Sequence, residues 1–247
     1  MQKPLNMAMI ERALKTTSFD LKPSDFTNYT YQEEIRYLFT MGYFPKFDSK
    51  NFVNLVDQKK LNLAILALKK ESMQKFMSMY KYKLSGVGPG EVVLFFLINN
   101  AKLGGGNSAS VDLFVRGKGQ YEIKSAKISN DGLAYDFRLS STISLTKIIT
   151  SLNDLRIRYK LSGGNNSMSG DVIDSLREKA PFDFSQIEKE YAELVKNSFK
   201  AEVIFMNNST SPSKMANIEA IQKVKAEDVT IERVTGGTIK PRIKLHR

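Results

Sequence analysis

Apolar residues recur at helical spacing in the first third of the chain. From Lys59 to Tyr82 the spacings are mostly three and four, which predicts a helix with one apolar face. Upstream, Thr30 and Glu33 form a capping-box pattern that predicts a helix running to about Met41. Residues 1–82 are therefore predicted to be a helical extension or subdomain. The apolar positions of the longer stretch are Leu61, Ala64, Ile65, Leu68, Phe76, Met77 and Tyr80.

A nearly continuous apolar run follows, from Glu91 to Ile98. Such a run must be buried on most sides, either as a packed helix or as a central strand. The preceding Pro89-Gly90 and the acid at the first position favour the helix. The glycine-rich stretch from Asn99 to Ser110 predicts a flexible loop.

Strict alternation begins at Val111 and resumes after a turn predicted over Arg116 to Gln120. This pattern predicts a β-hairpin in which Val115 lies opposite Tyr121. Because side chains alternate along a strand, the three charged residues emerge on one face and the apolar residues on the other. The charged set is Asp112, Glu122 and Lys124, and the apolar set is Val111, Leu113, Val115, Tyr121 and Ile123.

The remaining pattern predicts two helices, one strand and a second hairpin. The helices cover Ser144 to Tyr159 and Gln186 to Asn197, and they are separated by a mobile segment, Ser162 to Gly170. The strand covers Ala201 to Met206. The hairpin joins Val229–Val234 to Thr238–Leu245 through Gly236-Gly237.

Composition restricts the available chemistry. The 247 residues include no Cys and a single His, His246, next to the C-terminal residue, so thiolate sites, disulfides and His-based triads are excluded or improbable. The net charge of +11 favours a polyanionic partner such as nucleic acid. No apolar run approaches the roughly 18 residues of a membrane span, and Met1 to Pro4 lack a signal-peptide pattern, so we expect a cytoplasmic protein without a membrane partner.

The charged face of the first hairpin carries residue types that suit metal-assisted phosphodiester hydrolysis. Asp112 and Glu122 offer hard oxygen ligands for Mg²⁺ or Mn²⁺, and the Ile123 carbonyl could be a further ligand. Lys124 could position a water or stabilise the transition state of phosphodiester hydrolysis. This chemistry needs neither His nor Cys.

These residues resemble the PD-(D/E)XK nuclease superfamily. Its pattern is a helical glutamate, an aspartate near the end of a strand and a Glu-x-Lys on the next strand, here Glu91, Asp112 and Glu122-Ile123-Lys124. The resemblance covers Gly88 to Lys127, with Val111 where the pattern often has proline. The glycines around Pro89 are similar to a variant among phage-type members.

The resemblance implies an α/β fold of restriction-endonuclease type, with a mixed central sheet flanked by helices and a nuclease core over residues 83–247. It implies a metal-dependent nuclease, an endonuclease acting on double-stranded DNA, with Glu91 as a supporting metal or water ligand. A homo-oligomer, a viral assembly partner and, for a viral protein, the host cytoplasm are left open. Basic residues that could contact phosphates are Arg116, Lys118, Lys127, Lys147, Arg156, Arg158, Lys240, Arg242 and Lys244.

Alternative interpretations are also open. The Glu-x-Lys could be a cross-strand ion pair on a solvated face, and Glu91 could serve only its helix dipole. The basic stretch from Arg233 to Arg247 could be a plain solvated edge. The chain could be a non-catalytic nucleic-acid-binding or phage assembly protein that retains the nuclease fold, or a helical interaction protein using Met73 to Met79.

Overall fold

The computed structural model describes residues 21, 22, 24, 38, 41–46, 52–54, 56–82, 87, 88, 90–104, 111–137, 139 and 144–246. These residues contain eight β-strands and six α-helices, which confirms the α/β class. The predicted helix from Thr30 to Met41 lies outside the described residues, apart from Leu38 and Met41. The restriction-endonuclease-like arrangement stays a prediction.

The elements are numbered here in chain order. The helices are α1 (Gln58–Glu71), α2 (Met73–Lys81), α3 (Glu91–Leu97), α4 (Thr146–Arg158), α5 (Gly170–Lys179) and α6 (Pro181–Ser198). The strands are β1 (Ala101–Leu103), β2 (Leu113–Val115), β3 (Gly119–Ile128), β4 (Leu133–Tyr135), β5 (Glu202–Asn207), β6 (Ile218–Gln222), β7 (Val229–Thr235) and β8 (Thr238–Lys244).

The chain divides into two compact units. The first contains residues 1–125 and 204–221, and the second contains residues 126–203 and 222–247. In the first unit β1, β2 and β3 pair in that order, and β3 also pairs with β5, which pairs with β6. In the second unit the end of β3 pairs with β4, then β8 and β7 follow. Antiparallel pairing joins β1 to β2, β2 to β3, β3 to β4, β4 to β8 and β7 to β8. The sequence predicted a mixed sheet instead. The predicted division after residue 82 stays a prediction.

The helix predicted over Lys59 to Tyr82 is two helices. Ser72 has extended backbone angles and ends α1, and its hydroxyl then accepts a hydrogen bond from the Lys75 N–H at the start of α2 (3.3 Å). Serine is a favoured helix N-cap, because its side chain satisfies an amide that has no partner within the helix. The apolar spacing alone did not reveal this break.

The flexible loop predicted after α3 is partly a strand. Ala101 to Leu103 form β1, which pairs antiparallel with β2, and the described part of the stretch ends at Gly104. Residues 105–110 lie outside the described part. The prediction of a helix over the preceding apolar run is confirmed by α3, in which every residue except Phe96 is buried.

The hairpin of β2 and β3 has a shorter turn than predicted. Val115 lies opposite Gly119 rather than Tyr121, so the turn contains only Arg116 to Lys118. Gly117 takes a positive φ of 74°, which closes a three-residue turn. The register differs from the prediction by two residues, and a shift of two leaves every side chain on its predicted face.

Side-chain amides of α1 satisfy the backbone of β6. Asn62 donates to the Ile218 carbonyl (2.8 Å) and accepts from the Ile218 N–H (2.7 Å). Gln58 donates to the carbonyl of Glu219 (3.0 Å). These bonds satisfy backbone N–H and C=O groups of β6 that would otherwise need hydrogen bonds from another strand or from water.

We expect Asn62→Ala to destabilise the first unit. The substitution removes the two hydrogen bonds between Asn62 and Ile218 and should lower the free energy of unfolding by about 1–3 kcal/mol. Chemical denaturation of the full chain measures this change. Asn99→Ala is the matched control, since Asn99 is exposed and its side-chain bond to Asn54 is also exposed. Equal effects of the two substitutions would contradict a structural role for Asn62.

The second unit confirms the helix predicted over Ser144 to Tyr159, which is α4, and the C-terminal hairpin, which is β7 and β8. The segment predicted to be mobile, Ser162 to Gly170, is instead held in place. Gly164 and Ser167 form a β-bridge, and Met168 pairs with Val234 of β7. The helix α5 that follows and the strand β4 were not predicted, and neither was β6 of the first unit.

Candidate active site

The predicted separation of charged and apolar faces is confirmed in the hairpin. Asp112 immediately precedes β2, and Glu122 and Lys124 lie on β3 at alternate positions. The apolar residues of the opposite face are all buried: Val111, Leu113, Val115, Tyr121 and Ile123. Phe114, on the charged face, is 38% exposed. A rigid sheet therefore presents two carboxylates and one ammonium group together.

Asp112 is held by the backbone of β3. Its N–H donates to the Tyr121 carbonyl (3.1 Å), and its Oδ2 accepts from the Ile123 N–H (2.7 Å). Burial raises the pKa of the Asp112 carboxyl, and the Ile123 hydrogen bond and the charge of Lys124 oppose that rise. The carboxylate is thus oriented by the next strand before any ligand binds.

Glu122 and Lys124 form an ion pair on this face. The Lys124 Nζ lies 2.7 Å from Glu122 Oε1, and the two side chains are 16% and 10% exposed. Burial raises the pKa of Glu122, while the Lys124 charge and hydrogen bond lower it. The cross-strand ion pair considered in the sequence analysis is therefore an ion pair along one strand.

Glu91 opens α3 and is buried. Its Oε1 accepts a hydrogen bond from the Gly88 N–H (2.5 Å), and a Cβ on Gly88 would lie 2.8 Å from the same oxygen. Gly90 has a φ of 98°, which L side chains rarely adopt, so glycine at this position allows the chain to turn into the helix. Burial and then the charge of Asp112 raise the pKa of Glu91 well above its usual range.

Electrostatic coupling connects these groups. Asp112 raises the pKa of both Glu91 and Glu122, and Lys124 lowers the pKa of all three carboxyls. Within the described part of the chain, however, no three His, Cys, Asp or Glu side chains are grouped closely enough to hold a metal ion. The Ile123 N–H is used by Asp112, and the role of its carbonyl as a ligand stays a prediction.

The donor set nonetheless suits a hard divalent cation. Lys124 pairs with Glu122 and is electrostatically coupled to Asp112 and Glu91, so a fully ionised site of three carboxylates and one lysine carries excess negative charge in a largely buried position. Buried charge is costly unless it is compensated, and oxygen ligands are those that Mg²⁺ and Mn²⁺ prefer. Asp112, Glu122 and Glu91 are the residues that would hold such a cation.

Two residues near the motif were missed by the sequence analysis. The Tyr80 hydroxyl of α2 lies 3.0 Å from the hydroxyl of Ser125, which follows Lys124 on β3. Burial raises the pKa of the Tyr80 hydroxyl. The only sequence signal was the position of Ser125 directly after Glu-x-Lys. The partner on α2 is 45 residues away in the chain, so no local pattern could identify it.

The basic residues predicted to contact phosphates fall into two groups. Arg116 and Lys118 lie in the exposed turn of the β2–β3 hairpin in the first unit. The other seven belong to the second unit: Lys127, Lys147, Arg156, Arg158, Lys240, Arg242 and Lys244.

Four of the seven already have partners within the protein. Lys127 pairs with Asp136 (2.9 Å), Lys147 with Glu190 (3.0 Å) and Arg158 with Asp183 (2.9 Å). Arg156 donates to the carbonyl of Leu161 and to the side chains of Asn153 and Asn165, so it holds the segment that follows α4. These contacts compete with phosphate binding by the four residues. Phosphate binding stays a prediction for all nine basic residues.

Comparison of the chain with models of protein families, with curated proteins and with solved structures gives no match. In the described ranges, every helix is too short or too polar to cross a lipid bilayer.

Proposed function

We propose that this chain is a metal-dependent nuclease that hydrolyses DNA phosphodiester bonds, acting as an endonuclease. The observation that carries the proposal is the oriented face of Asp112, Glu122 and Lys124, to which the buried Glu91 is electrostatically coupled. Perturbed ionisable groups that gather on a rigid support are typical of catalytic sites. The net charge of +11 suits a substrate with a phosphate backbone.

Each residue has a distinct role in this proposal. Asp112, Glu122 and Glu91 would hold Mg²⁺ or Mn²⁺, and the Ile123 N–H keeps the Asp112 carboxylate pointing in one direction. When bound, the cation supplies charge stabilisation at the phosphate and lowers the pKa of a bound water. Lys124 then places a positive charge where the attacked phosphate gains negative charge.

The direct test is cleavage. Purified protein with Mg²⁺ or Mn²⁺ is expected to cut plasmid, linear duplex or single-stranded DNA, and EDTA is expected to stop the reaction. Conversion of supercoiled plasmid to open circles would show endonuclease action, because an exonuclease needs an end. Absence of cutting on all three substrates would contradict the proposal.

Cation binding is also expected to stabilise the fold, because it offsets the buried carboxylate charge. At a concentration near 100 times its dissociation constant, Mn²⁺ should raise the free energy of unfolding by about 2.7 kcal/mol. Thermal denaturation with and without Mn²⁺ measures the gain. Glu91→Gln should lose most of it, whereas Asp154→Asn should keep it, since Asp154 is exposed on α4 in the second unit. An equal gain in both variants would place the cation elsewhere.

A second candidate is a non-catalytic nucleic-acid-binding or phage assembly protein with the same fold. The ion pair of Lys124 with Glu122 favours it, because the pair satisfies both charges without a cation. This candidate predicts DNA binding that weakens with salt and survives Lys124→Ala. It also predicts no metal-dependent cleavage.

A further inference from the structure

The antiparallel strands of the second unit have two chemically different faces. Along β8, Ile239, Pro241 and Ile243 are buried, and the buried Tyr191 of α6 donates to the Ile239 carbonyl (3.3 Å). The alternating residues Lys240, Arg242 and Lys244 are half-buried or exposed and lie on the other face. Three cations are therefore spaced along one strand, about 6.8 Å apart.

The register places apolar and aromatic side chains beside these cations. Lys244 lies opposite Leu133 of β4, and Ala134 lies opposite Ile243. Tyr135 is on the same face of β4 as Leu133 and lines one cavity with Arg242. Both Leu133 and Tyr135 are partly exposed. A cavity of about 310 Å³ opens on this face, lined by Ser129, Asp131, Leu133, Tyr135, Glu232 and Arg242. Its volume is at the lower end of the range for small-molecule sites.

Neighbouring acids are mostly neutralised by other residues. Asp136 pairs with both Lys127 (2.9 Å) and Arg233 (2.8 Å). Glu232 pairs with Arg233 and accepts from the Asp136 N–H (3.2 Å).

Lys240, Arg242 and Lys244 form no ion pair with any described residue. The exposed Asp131 is the lining acid that likewise has no ion pair with any described residue. Positive charge therefore dominates the strip beside the cavity.

We propose that this face, formed by Leu133, Tyr135, Lys240, Arg242 and Lys244, binds single-stranded nucleic acid. A base would stack on the Tyr135 ring in the cavity, and successive phosphates would lie along the three cations of β8. Aromatic platforms beside a basic groove bind single strands because an unpaired base exposes its flat surface. In a duplex the bases are stacked on one another and cannot reach Tyr135. The inference rests on the proposed function, which supplies nucleic acid as the substrate class. It adds that the substrate contains a single-stranded segment.

The test measures binding of a fluorescent oligothymidylate to the full chain in EDTA, where metal-dependent cleavage cannot occur. Tyr135→Ala should weaken binding about 10-fold, whereas Tyr135→Phe should bind like the wild type, since stacking needs only the ring. Arg242→Gln should weaken binding and reduce the salt slope by about 0.7, the value for one phosphate contact in a single strand. Lys189→Ala is the control, because Lys189 is exposed on α6.

Several results would overturn the inference. One is unchanged affinity in both Tyr135→Ala and Arg242→Gln when both variants melt at the wild-type temperature. Another is an equal loss of affinity for duplex and single strand in Tyr135→Ala. A third is heparin displacing the oligonucleotide equally well from Tyr135→Ala and wild type, which would indicate charge alone.

The nuclease proposal fails or holds separately, because binding in EDTA involves none of its metal chemistry. Binding that depends on Tyr135, without cleavage, would refute the nuclease proposal and support the single-strand-binding face. Cleavage together with binding that does not depend on Tyr135 would support the nuclease proposal and refute the single-strand-binding face.

Discussion

Asp112→Asn is expected to lower Mg²⁺-dependent cleavage by about 1,000-fold, which corresponds to about 4 kcal/mol of transition-state stabilisation. Asparagine has the size of aspartate and keeps a side-chain oxygen that can accept from the Ile123 N–H (2.7 Å). It removes the negative charge that a cation would need. The loss should therefore come from weaker cation binding rather than from a displaced strand.

The stability of this variant separates chemistry from folding. Because burial raises the pKa of the Asp112 carboxyl, the ionised form is disfavoured in the metal-free fold. Removing its charge should leave the melting temperature in EDTA unchanged or slightly higher. Plasmid cleavage rates and thermal denaturation of the same samples provide both values. A variant that melts normally and still cuts at the wild-type rate would show that Asp112 is not a metal ligand.

Lys124→Met offers a second comparison at the same face. Methionine keeps most of the length of lysine but cannot pair with Glu122, whose Oε1 lies 2.7 Å from Nζ. Cleavage should fall while Mn²⁺ binding is retained or strengthened, because a competing cation has been removed. Loss of cation binding in this variant would indicate that the ion pair organises the site.

The two faces of the hairpin could be predicted because the predicted and observed turns differ in length by two residues, and a shift of two keeps side-chain alternation in step, whereas a shift of one would have put Asp112 on the face opposite Glu122. The turn was predicted as Arg116 to Gln120 and contains only Arg116 to Lys118, yet the side chains kept their faces. The α3 helix was predictable for a similar reason. Its apolar run and initial glutamate are local features, and both are read directly from consecutive residues.

Tertiary partners could not be predicted in this way. Lys147 and Arg158 pair with acids of α6 that are 43 and 25 residues away in the chain. The local sequence pattern therefore could not predict these ion pairs. The same holds for Asn62, whose partner on β6 is 156 residues distant. Short elements such as β1 and β4 contain three residues each, too few for a periodic signal. The position of β4 is set by pairing with the longer strands β3 and β8, and that of β1 by pairing with β2, which is itself three residues long.

Gly104 illustrates how a glycine-rich stretch can hide a packed position. Its N–H donates to the Asp112 carbonyl (2.8 Å), which joins the end of β1 to the residue that carries the proposed metal ligand. A Cβ at this position would lie 1.9 Å from the Val111 carbonyl oxygen and 3.3 Å from the carbonyl carbon of Asp112. Both neighbours are backbone atoms, so neither can move aside by changing a rotamer.

We expect Gly104→Ala to impair stability and cleavage together. Relief of the clash requires the Val111–Asp112 backbone to shift, and overpacking of this kind should cost about 3 kcal/mol of unfolding free energy. A displacement of Asp112 near 1 Å should also lower cleavage by about 100-fold in the molecules that remain folded. Denaturant unfolding and cleavage rates, corrected for the folded fraction, measure the two effects.

Gly164→Ala is the matched control for this prediction, because a Cβ on Gly164 meets no atom within 4 Å and its φ is not positive. Its stability should stay within about 1 kcal/mol of the wild type, with any change toward greater stability from a less flexible unfolded chain. If Gly104→Ala behaves like this control, β1 does not approach the Asp112 backbone closely. If stability falls but the folded fraction cuts normally, Gly104 supports the fold without setting the position of Asp112. A loss of both, confined to Gly104→Ala, ties the packing of β1 directly to the proposed metal ligand.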